Sequence, residues 1–238
     1  MNVCDLRTVA LGREDIAPRD HRPRHRHLDA YAIVVIRGGF DQVSYAGRVH
    51  VTAGHLIVQP TLDCHANRAL GGVQILRLPW PPVDDFGGVY TLRDLDAIVR
   101  TAERDVREAA ALAAQSCSRV MAVANDLPDE LAAILARERA SISAFAERAG
   151  VAREVVSRSF TAAYGVSARR FRVEVQTRAA WLRIVRAREP LAAIALATGF
   201  ADQAHMTRCV RALTGATPAA WRRHESCAPE AVRRRWAP

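Results

Sequence analysis

Three histidines in the first third of the chain have side chains and spacing suited to binding a metal ion. His25 and His27 lie in the run HRPRHRH, and His65 follows later. Residues two apart in a β-strand point to the same face, so a third imidazole from a neighbouring strand would complete a metal site. A histidine-rich strand more often lines a surface or a pocket, however, and a small barrel can enclose one ligand. Two predictions therefore stand, a metal site formed by His25, His27 and His65 and, favoured over it, an effector pocket formed by His25, His27, Tyr31 and His65.

A second set of polar side chains lies near the C-terminus, in residues 190–221. The pattern there is that of two short helices joined by a turn at Gly199, and Asp202 is suited to cap the second helix. The outward face of that helix carries amide, imidazole, hydroxyl and guanidinium groups, and the residues on or near it are Gln203, Ala204, His205, Thr207, Arg208 and Arg211. Such groups on one helix face can bind base edges and phosphates, so the pattern predicts a DNA-binding helix-turn-helix.

A similar pattern of two short helices occurs about 48 residues earlier. Residues 141–150 and 153–163 have helical periodicity and are joined by a turn after Gly150. Residues 167–187 predict one connecting helix of about 30 Å. This length is close to the ~34 Å repeat of B-DNA, so one chain could place both reading helices in successive turns of the major groove.

The positive charge is concentrated in the same part of the chain. Residues 141–238 contain 17 Arg against 7 acidic residues, whereas the first 140 contain 17 Arg against 18 acidic residues. The whole net charge of +9 therefore comes from the C-terminal part. Clustered cations attract polyanions, and double-stranded DNA is the partner that this distribution favours, although a solvated basic surface would give the same count.

The segment 142–222 resembles the DNA-binding domain of the AraC/XylS family of bacterial transcription regulators. Its matching motifs include Gly150-Val151, Ser157-Arg158-x-Phe160 and Ile194-Ala195-x-x-x-Gly199-Phe200-x-Asp202-Gln203-x-His205-x-Thr207-Arg208. The resemblance implies that two helices contact DNA. The contacting residues would be Arg153, Glu154, Ser157 and Arg158 in the first helix, and Gln203, Ala204, His205, Thr207 and Arg208 in the second. Ala152 departs from the family's usual Ser or Thr cap.

The first part of the chain predicts a small β-barrel or sandwich. Short apolar runs at 32–36, 42–45, 56–59 and 73–78 alternate with glycine-containing turns. The HxH pair, the Gly-x5-Pro segment of residues 54–60 and His65 resemble a cupin. Tyr31 and Ala32 stand where a cupin metal site usually has its acidic ligand, and Leu62 stands where glycine is expected. A fourth metal ligand would have to come from Asp63 or Cys64.

The segment between these two parts predicts helices. Residues 91–115 predict one long helix begun by Thr91, whose apolar stripe would serve either as intramolecular core or as a dimer contact. Residues 118–124 predict a further helical stretch, and 128–138 another that begins at Pro128. The predicted fold class is α+β, with a cupin-like effector and dimerisation barrel at 1–82, a helical linker and candidate dimer contact at 83–140, an AraC-type DNA-binding domain at 141–224 and a basic tail at 225–238.

The function that these observations predict is sequence-specific transcription regulation in response to a ligand in the barrel. The expected partners are double-stranded DNA, an unidentified small-molecule effector, a second copy of the chain in a homodimer and, for an activator, RNA polymerase. Five scattered cysteines without a CxxC pair, a charged N-terminus and no apolar run of membrane-spanning length predict a cytoplasmic protein that does not enter a membrane.

Other classes of function are weighed against this one. No Ser-His-Asp or phosphate-loop pattern occurs in the chain, so the sequence predicts no enzyme and, apart from a metal in the barrel, no cofactor. The first alternative is a metal-dependent cupin enzyme with an incidental helix-turn-helix. The second is a metal- or redox-sensing regulator that uses Cys64 with His65.

Overall fold

The computed structural model describes residues 5–7, 9–83, 86–120, 126–137 and 141–223. Their contacts divide them into two units, residues 5–120 and 126–223, which we call the strand-rich unit and the helical unit. The predicted α+β class is confirmed, since strands dominate the first unit and helices form the second. In the ranges described, no helix combines the length and the hydropathy needed to cross a membrane. The predicted tail at 225–238 lies outside these ranges.

The strand-rich unit is made of short strands followed by two helices. Its elements are β1 (Asp5–Arg7), β2 (Gly12–Ile16), β3 (His21–His27), β4 (Tyr31–Arg37), β5 (Gly39–Ser44), β6 (Gly47–Thr52), β7 (His55–Gln59), β8 (Cys64–Ala69), β9 (Val73–Pro79), β10 (Gly88–Leu92), α1 (Leu95–Ala102), α2 (Val106–Ser116) and β11 (Cys117–Val120). Three of the four apolar runs predicted as strands lie wholly in strands, and the fourth, 42–45, extends one residue past β5, since Tyr45 lies in the following turn.

Two sheets pack around a shared apolar core in this unit. One has the strand order β1-β3-β8-β5-β6 and the other β11-β10-β7-β4-β9-β2. The pairing of β1 with β3 is parallel, and the pairings among the other described strands are antiparallel. Residues of both sheets form the core, namely Tyr31, Ile33, Val35, Phe40, Val51, Ile57, Ala69, Val73 and Ile75.

The outer face of the six-stranded sheet is covered by α1 and α2. Alternation along β4 sends Ile33 and Val35 into the core between the sheets, and it sends Ala32 and Val34 to a second cluster on the other face. Helix residues Ile98, Ala109 and Ala113 complete that second cluster. Of the two roles left open for the apolar stripe of this segment, intramolecular core is therefore the one observed.

The prediction of one long helix from Thr91 is wrong, because the helix is interrupted between Ala102 and Val106. Thr91 lies in β10, and α1 is capped instead by Asp94, whose Oδ1 accepts a hydrogen bond from the amide of Ala97 at 2.8 Å. Asp105 Oδ1 accepts a bond from the amide of Arg107 at 2.7 Å and so begins α2 as a separate helix. This break lets two shorter helices pack against each other and against the sheet.

The predicted helical stretch at 118–124 is also wrong where the structure describes it. Residues of β11 pair antiparallel with β10, with Val89 opposite Val120 and Leu92 opposite Cys117. This pairing provides hydrogen-bond partners for backbone groups along the edge of β10, and a helical turn at residues 117–120 would leave those groups unpaired. Residues 121–124 lie outside the described ranges.

The helical unit contains two helix-turn-helix pairs joined by a long helix. Its elements are α3 (Leu127–Arg137), α4 (Ile142–Arg148), α5 (Arg153–Tyr164), α6 (Ala168–Arg186), α7 (Leu191–Ala197), α8 (Gln203–Thr214) and α9 (Pro218–Arg223). Gly165 and Gly215 end α5 and α8 in the left-handed conformation, with φ of 67° and 79°. The two predicted helix-turn-helix pairs correspond to α4–α5 and α7–α8.

Helix α6 is the central element of the helical unit. With 19 residues it is about 28 Å long at 1.5 Å per residue, close to the predicted length. Its side chains are buried on several faces, and Trp181 packs edge-on against Trp221 of α9 with ring centroids 5.5 Å apart. A helix buried on several sides is a rigid connection between the two helix-turn-helix pairs.

The described residues of segment 83–140 are divided between the two units. Helices α1 and α2 pack on the sheet of the first unit, whereas α3 packs on α5 and α6 through Leu131, Ala132 and Leu135. The hydroxyl of Tyr164, at the end of α5, donates a hydrogen bond to Asp129 Oδ1 on α3 at 2.7 Å. Helix α3 is thus part of the same unit as α5.

Replacing Tyr164 by Phe is expected to lower the free energy of unfolding of the helical unit by about 1.5–3 kcal/mol, because a buried hydrogen bond to a charged group is lost. The ring contacts with Phe160 remain in this variant. Urea unfolding of the full chain, followed by tryptophan fluorescence, to which Trp181 and Trp221 of the helical unit contribute, measures the change. Tyr90→Phe in the strand-rich unit is the matched control, and equal stability of both variants would contradict the prediction.

Candidate nucleic-acid interface and cavity

Helix α5, the predicted first reading helix, carries the residues that the resemblance to the AraC/XylS family assigns to DNA. Arg153, Glu154 and Arg158 are exposed and Ser157 is half-buried, whereas Val156 and Phe160 point into the unit. Ala152 at the N-cap makes no side-chain hydrogen bond, as expected for alanine there. The first turn of α5 therefore receives no hydrogen bond from an N-cap side chain, whereas the first turn of α8 receives one.

The second reading helix, α8, has a stronger start and a similar polar face. Asp202 Oδ1 accepts a hydrogen bond from the amide of His205 at 2.6 Å, which confirms the predicted cap. Gln203, Ala204 and Arg208 are exposed, whereas Thr207 and His205 are half-buried. The ring of His205 packs edge-on against Phe200 with centroids 5.2 Å apart, so this residue also supports the turn.

One exposed apolar residue on the reading face is not among the predicted contacts. Val155 lies beside Glu154 on α5 and is 42% exposed. Its outward position follows from helical periodicity, because its neighbour Val156 is buried. An exposed apolar group on a reading helix can contact the methyl group of thymine, which is readout chemistry that a search for polar residues misses.

A cavity of about 210 Å³ lies between the two sheets of the strand-rich unit. Apolar side chains, including Ile16, Ile33, Phe40 and Ile75, form one part of its wall. Predicted pocket residues His25, His27 and Tyr31 line it as well, whereas His65 is not among the lining residues but contacts them. The cavity is large enough for a small metabolite and is smaller than most drug-sized sites.

A charged cluster, consisting of Glu14, Asp20, Arg22 and Arg77, lines another part of the cavity. Glu14 forms ion pairs with both Arg22 and Arg77, and Arg22 Nε donates to Asp20 Oδ2 at 3.3 Å. Burial raises the pKa of Glu14, but the hydrogen bond from Arg22 and the charge of Arg77 outweigh it and hold the pKa below its usual value. Sequence reasoning missed this cluster, since charged residues in strands predict solvent exposure.

The histidine cluster, consisting of His25, His27 and His65, is buried beside this cavity. The structure brings the three predicted residues together, and in the described part of the chain they form the group that could hold a metal ion. Burial lowers the pKa of His65 well below its usual value, and repulsion from His25 and His27 lowers it further. Burial also raises the pKa of Tyr31, whose hydroxyl lies 3.3 Å from His65 Nε2.

The predicted fourth ligands do not join this cluster. Cys64 is fully buried and precedes His65 on β8, so alternation turns its side chain to the opposite face of the sheet. Asp63 Oδ2 lies 3.8 Å from His65 Nδ1, beside the ring nitrogen that faces away from Tyr31. Leu62, at the position where the cupin motif has glycine, has a left-handed φ of 58° and keeps its side chain buried.

The helical unit matches a known family of DNA-binding domains. Residues 145–224 match a family model described as "Helix-turn-helix domain", which covers α5 to α9 and both turns. This part of the chain is therefore a DNA-binding domain of the helix-turn-helix class, as the sequence predicts. Within that class the domain is of the AraC type, so the predicted resemblance is confirmed for this part of the chain.

Several solved structures are similar in fold. ToxT from Vibrio cholerae O395 is 8% identical, with 92% of this chain and 98% of that chain covered and a TM-score of 0.41. An AraC-type transcriptional regulator from Chromobacterium violaceum is 21% identical, with 43% and 95% covered and a TM-score of 0.39. The C-terminal domain of AraT from Geobacillus stearothermophilus is 17% identical, with 48% and 93% covered and a TM-score of 0.38. A search of curated protein sequences finds no match. At these identities and TM-scores, no residue role is transferred from these proteins.

Proposed function

We propose that this regulator contacts specific DNA sequences through α5 and α8 and that a small molecule in the cavity of its strand-rich unit controls that binding. The observation that carries the proposal is the pair of exposed polar helix faces, each the second helix of a helix-turn-helix, in one unit with α6 as their connection. In α5 the contacting residues would be Arg153, Glu154, Ser157 and Arg158. In α8 they would be Gln203, Ala204, His205, Thr207 and Arg208.

The chemistry of these side chains suits base-specific recognition. Arg158 and Arg208 can each donate two hydrogen bonds to guanine O6 and N7, and Gln203 can pair with adenine N6 and N7. Glu154 can accept a hydrogen bond from cytosine N4. The connecting helix α6 is about 28 Å long, which supports binding of the two reading helices in successive turns of the groove.

Selection of fragments of the native genome with the purified full-length protein tests this function. We expect recovered promoter fragments to share a motif with two half-sites about one helical turn apart, and affinity for them to fall steeply as salt is raised. Binding to the recovered fragments no tighter than to scrambled DNA of the same length would contradict the proposal.

The sensing role is supported by the mixed lining of the cavity. A cavity with an apolar wall, a histidine cluster and a charged cluster suits a small polar molecule with an apolar part. We also propose that the strand-rich unit is cupin-like, which is supported by its two mainly antiparallel sheets and by the HxH and Gly-x5-Pro segments. The predicted effector residues His25, His27, Tyr31 and His65 all lie at or beside this cavity.

The remaining parts of the proposal concern assembly and location. A homodimer would need a surface other than the apolar stripe of α1 and α2, since that stripe is buried on the sheet. RNA polymerase would be a further partner if the protein activates transcription. A cytoplasmic location agrees with the proposed target, DNA, and with the absence of a disulfide at the described cysteines Cys64, Cys117 and Cys209.

A further inference from the structure

The charged cluster on the cavity wall is a row of alternating negative and positive groups. Arg22 lies between two carboxylates, since its Nε donates to Asp20 and its Nη2 donates to Glu14. Glu14 in turn lies between two guanidinium groups, because its other oxygen pairs with Arg77. The row therefore has a carboxylate, that of Asp20, at one end and a guanidinium, that of Arg77, at the other.

The two ends of this row have hydrogen-bonding capacity that the described protein groups leave unused. Arg77 contacts Glu14 through Nη2, and the N–H groups on its Nε and Nη1 donate to no acceptor among the described residues. Asp20 accepts from Arg22 through Oδ2, and its Oδ1 accepts from no described donor. Both side chains line the cavity. A ligand there can therefore reach a donor group at one end of the row and an acceptor at the other.

The charge balance of the cluster indicates which kind of ligand fits it. Its two guanidinium and two carboxylate groups have formal charges that sum to zero, and they are the Arg, Asp and Glu side chains among the described lining residues. A ligand with a single charge would leave one charge uncompensated in a partly enclosed site, which is unfavourable. A ligand that carries both an ammonium group and a carboxylate keeps the balance, because it can pair with both ends of the row.

Apolar side chains beside Arg77 indicate what joins the two charges of the ligand. Ile33 on β4 lies opposite Arg77 on β9, and Ile75 lies two residues before Arg77 on the same face of β9. Ile33 and Ile75 line the cavity together with Phe40 of the other sheet. A ligand whose carboxylate pairs with Arg77 therefore places its carbon skeleton against apolar side chains, and a cavity of about 210 Å³ limits that skeleton to a small one.

We propose that the effector of this protein is a small amino acid, whose carboxylate pairs with Arg77, whose ammonium group pairs with Asp20 and whose hydrocarbon part packs on Ile33 and Ile75. The carboxylate would lie at the more enclosed end of the row, because the side chain of Arg77 is 14% exposed and that of Asp20 is 38% exposed. This inference rests on the proposed sensing role for any effect on DNA, whereas binding of the amino acid does not depend on that role.

Binding of amino acids to the full-length protein tests this assignment. The probes are valine, leucine, isoleucine, methionine and ε-aminocaproate, in which the two charges lie further apart, and isothermal titration calorimetry measures their affinities. We expect at least one of them to bind in a ratio of one per chain. Failure of all five probes to bind at millimolar concentration would overturn the proposal.

Matched analogues show whether both charges are recognised. For leucine these are isocaproate, which lacks the ammonium group, and isoamylamine, which lacks the carboxylate; for ε-aminocaproate they are hexanoate and pentylamine. Each analogue is expected to bind roughly 10- to 150-fold more weakly than its amino acid, because hydrogen bonds to a charged group are lost. A singly charged analogue that binds as tightly as the amino acid would overturn the proposal as well.

Substitutions at the two ends of the row assign the two contacts. Arg77→Gln is expected to weaken binding of the amino acid roughly 10- to 150-fold but not binding of the amine, which has no carboxylate to lose a partner. Asp20→Asn is expected to weaken binding of the amino acid but not of the carboxylic acid that lacks the ammonium group. A variant that only disturbs the fold would weaken all probes alike.

Arg68→Gln is the matched control for Arg77→Gln. Arg68 is an exposed arginine on β8 that is not among the residues lining the cavity, so its replacement should leave the affinity unchanged. Equal affinity of Arg77→Gln and Arg68→Gln for the amino acid would contradict the assignment. The series of analogues with the wild-type protein decides the matter if Arg77→Gln does not fold.

A DNA-binding assay separates this inference from the proposed function. Specific binding to a recovered promoter fragment by a protein that binds none of the amino acids would overturn the inference and leave the regulator. Binding of an amino acid by a protein that binds no DNA sequence specifically would support the inference and contradict the proposed function.

Discussion

Replacing Arg208 by Ala is expected to weaken binding to a specific DNA site by about 1–3 kcal/mol, or roughly 5- to 150-fold in affinity. Arg208 is exposed on α8, one helical turn beyond Gln203 and Ala204, on a helix whose start is fixed by Asp202. Its guanidinium can donate two parallel hydrogen bonds to one guanine, and most of the loss comes from leaving that pairing unmade. Electrophoretic mobility shifts or fluorescence anisotropy with a fragment selected from the genome give the affinity.

The kind of contact follows from how the loss depends on sequence and on salt. A base contact predicts lower affinity for the selected site and relaxed preference at one position, whereas a phosphate contact predicts a uniform loss and a salt slope reduced by about one. Arg104→Ala is the matched control, because Arg104 is exposed in the strand-rich unit and its loss changes the net charge equally. The same loss of affinity in both variants would show that Arg208 contributes only net charge.

Replacing Phe160 by Ala is expected to lower the free energy of unfolding of the helical unit by about 3–5 kcal/mol. Phe160 is fully buried on the inner face of α5. Its ring stacks on Tyr164 with centroids 4.6 Å apart and meets Phe171 of α6 edge-on at 5.4 Å. Removal of the ring leaves a cavity at the junction of α5 with α6. Helix α5 has no side-chain N-cap that could offset this loss of stability.

Urea unfolding of the full-length protein, followed by tryptophan fluorescence, to which Trp181 and Trp221 of the helical unit contribute, measures this loss. Val155→Ala is the control on the same helix, because Val155 is exposed and its truncation should change stability by no more than about 0.5 kcal/mol. A loss below about 1 kcal/mol for Phe160→Ala would mean that α5 is not held by this aromatic cluster. DNA binding by the variant should weaken at temperatures where the helical unit begins to unfold.

The helix-turn-helix pairs could be predicted because their signals are local. Gly199, Asp202 and the apolar period of α8 act within a few residues, so the turn, the cap and the buried face follow from the sequence without knowledge of the rest of the chain. The same holds for Gly165 at the end of α5. The outward faces of both reading helices follow from the same period, although their contacts with DNA stay a prediction.

Two errors occurred where a local pattern competes with tertiary pairing. Residues 91–115 have helical periodicity throughout, but Asp105 can cap a new helix inside this segment. Packing against the sheet then stabilises two short helices rather than one long helix. The stretch after Cys117 has no strong strand pattern, yet it pairs with β10 because that strand has an open edge. The energetic gain in both places comes from partners distant in sequence.

Local sequence patterns were enough to predict the members of the histidine cluster, the two helix-turn-helix pairs and the location of the positive charge. The folded structure was needed to show that His65 lies opposite His25, that Cys64 faces away from it, and that Glu14 is paired with Arg22 and Arg77 on the cavity wall. Strand register and sheet order depend on the packing of many side chains that are distant in sequence, whereas helix caps and helical periods depend on neighbours along the chain.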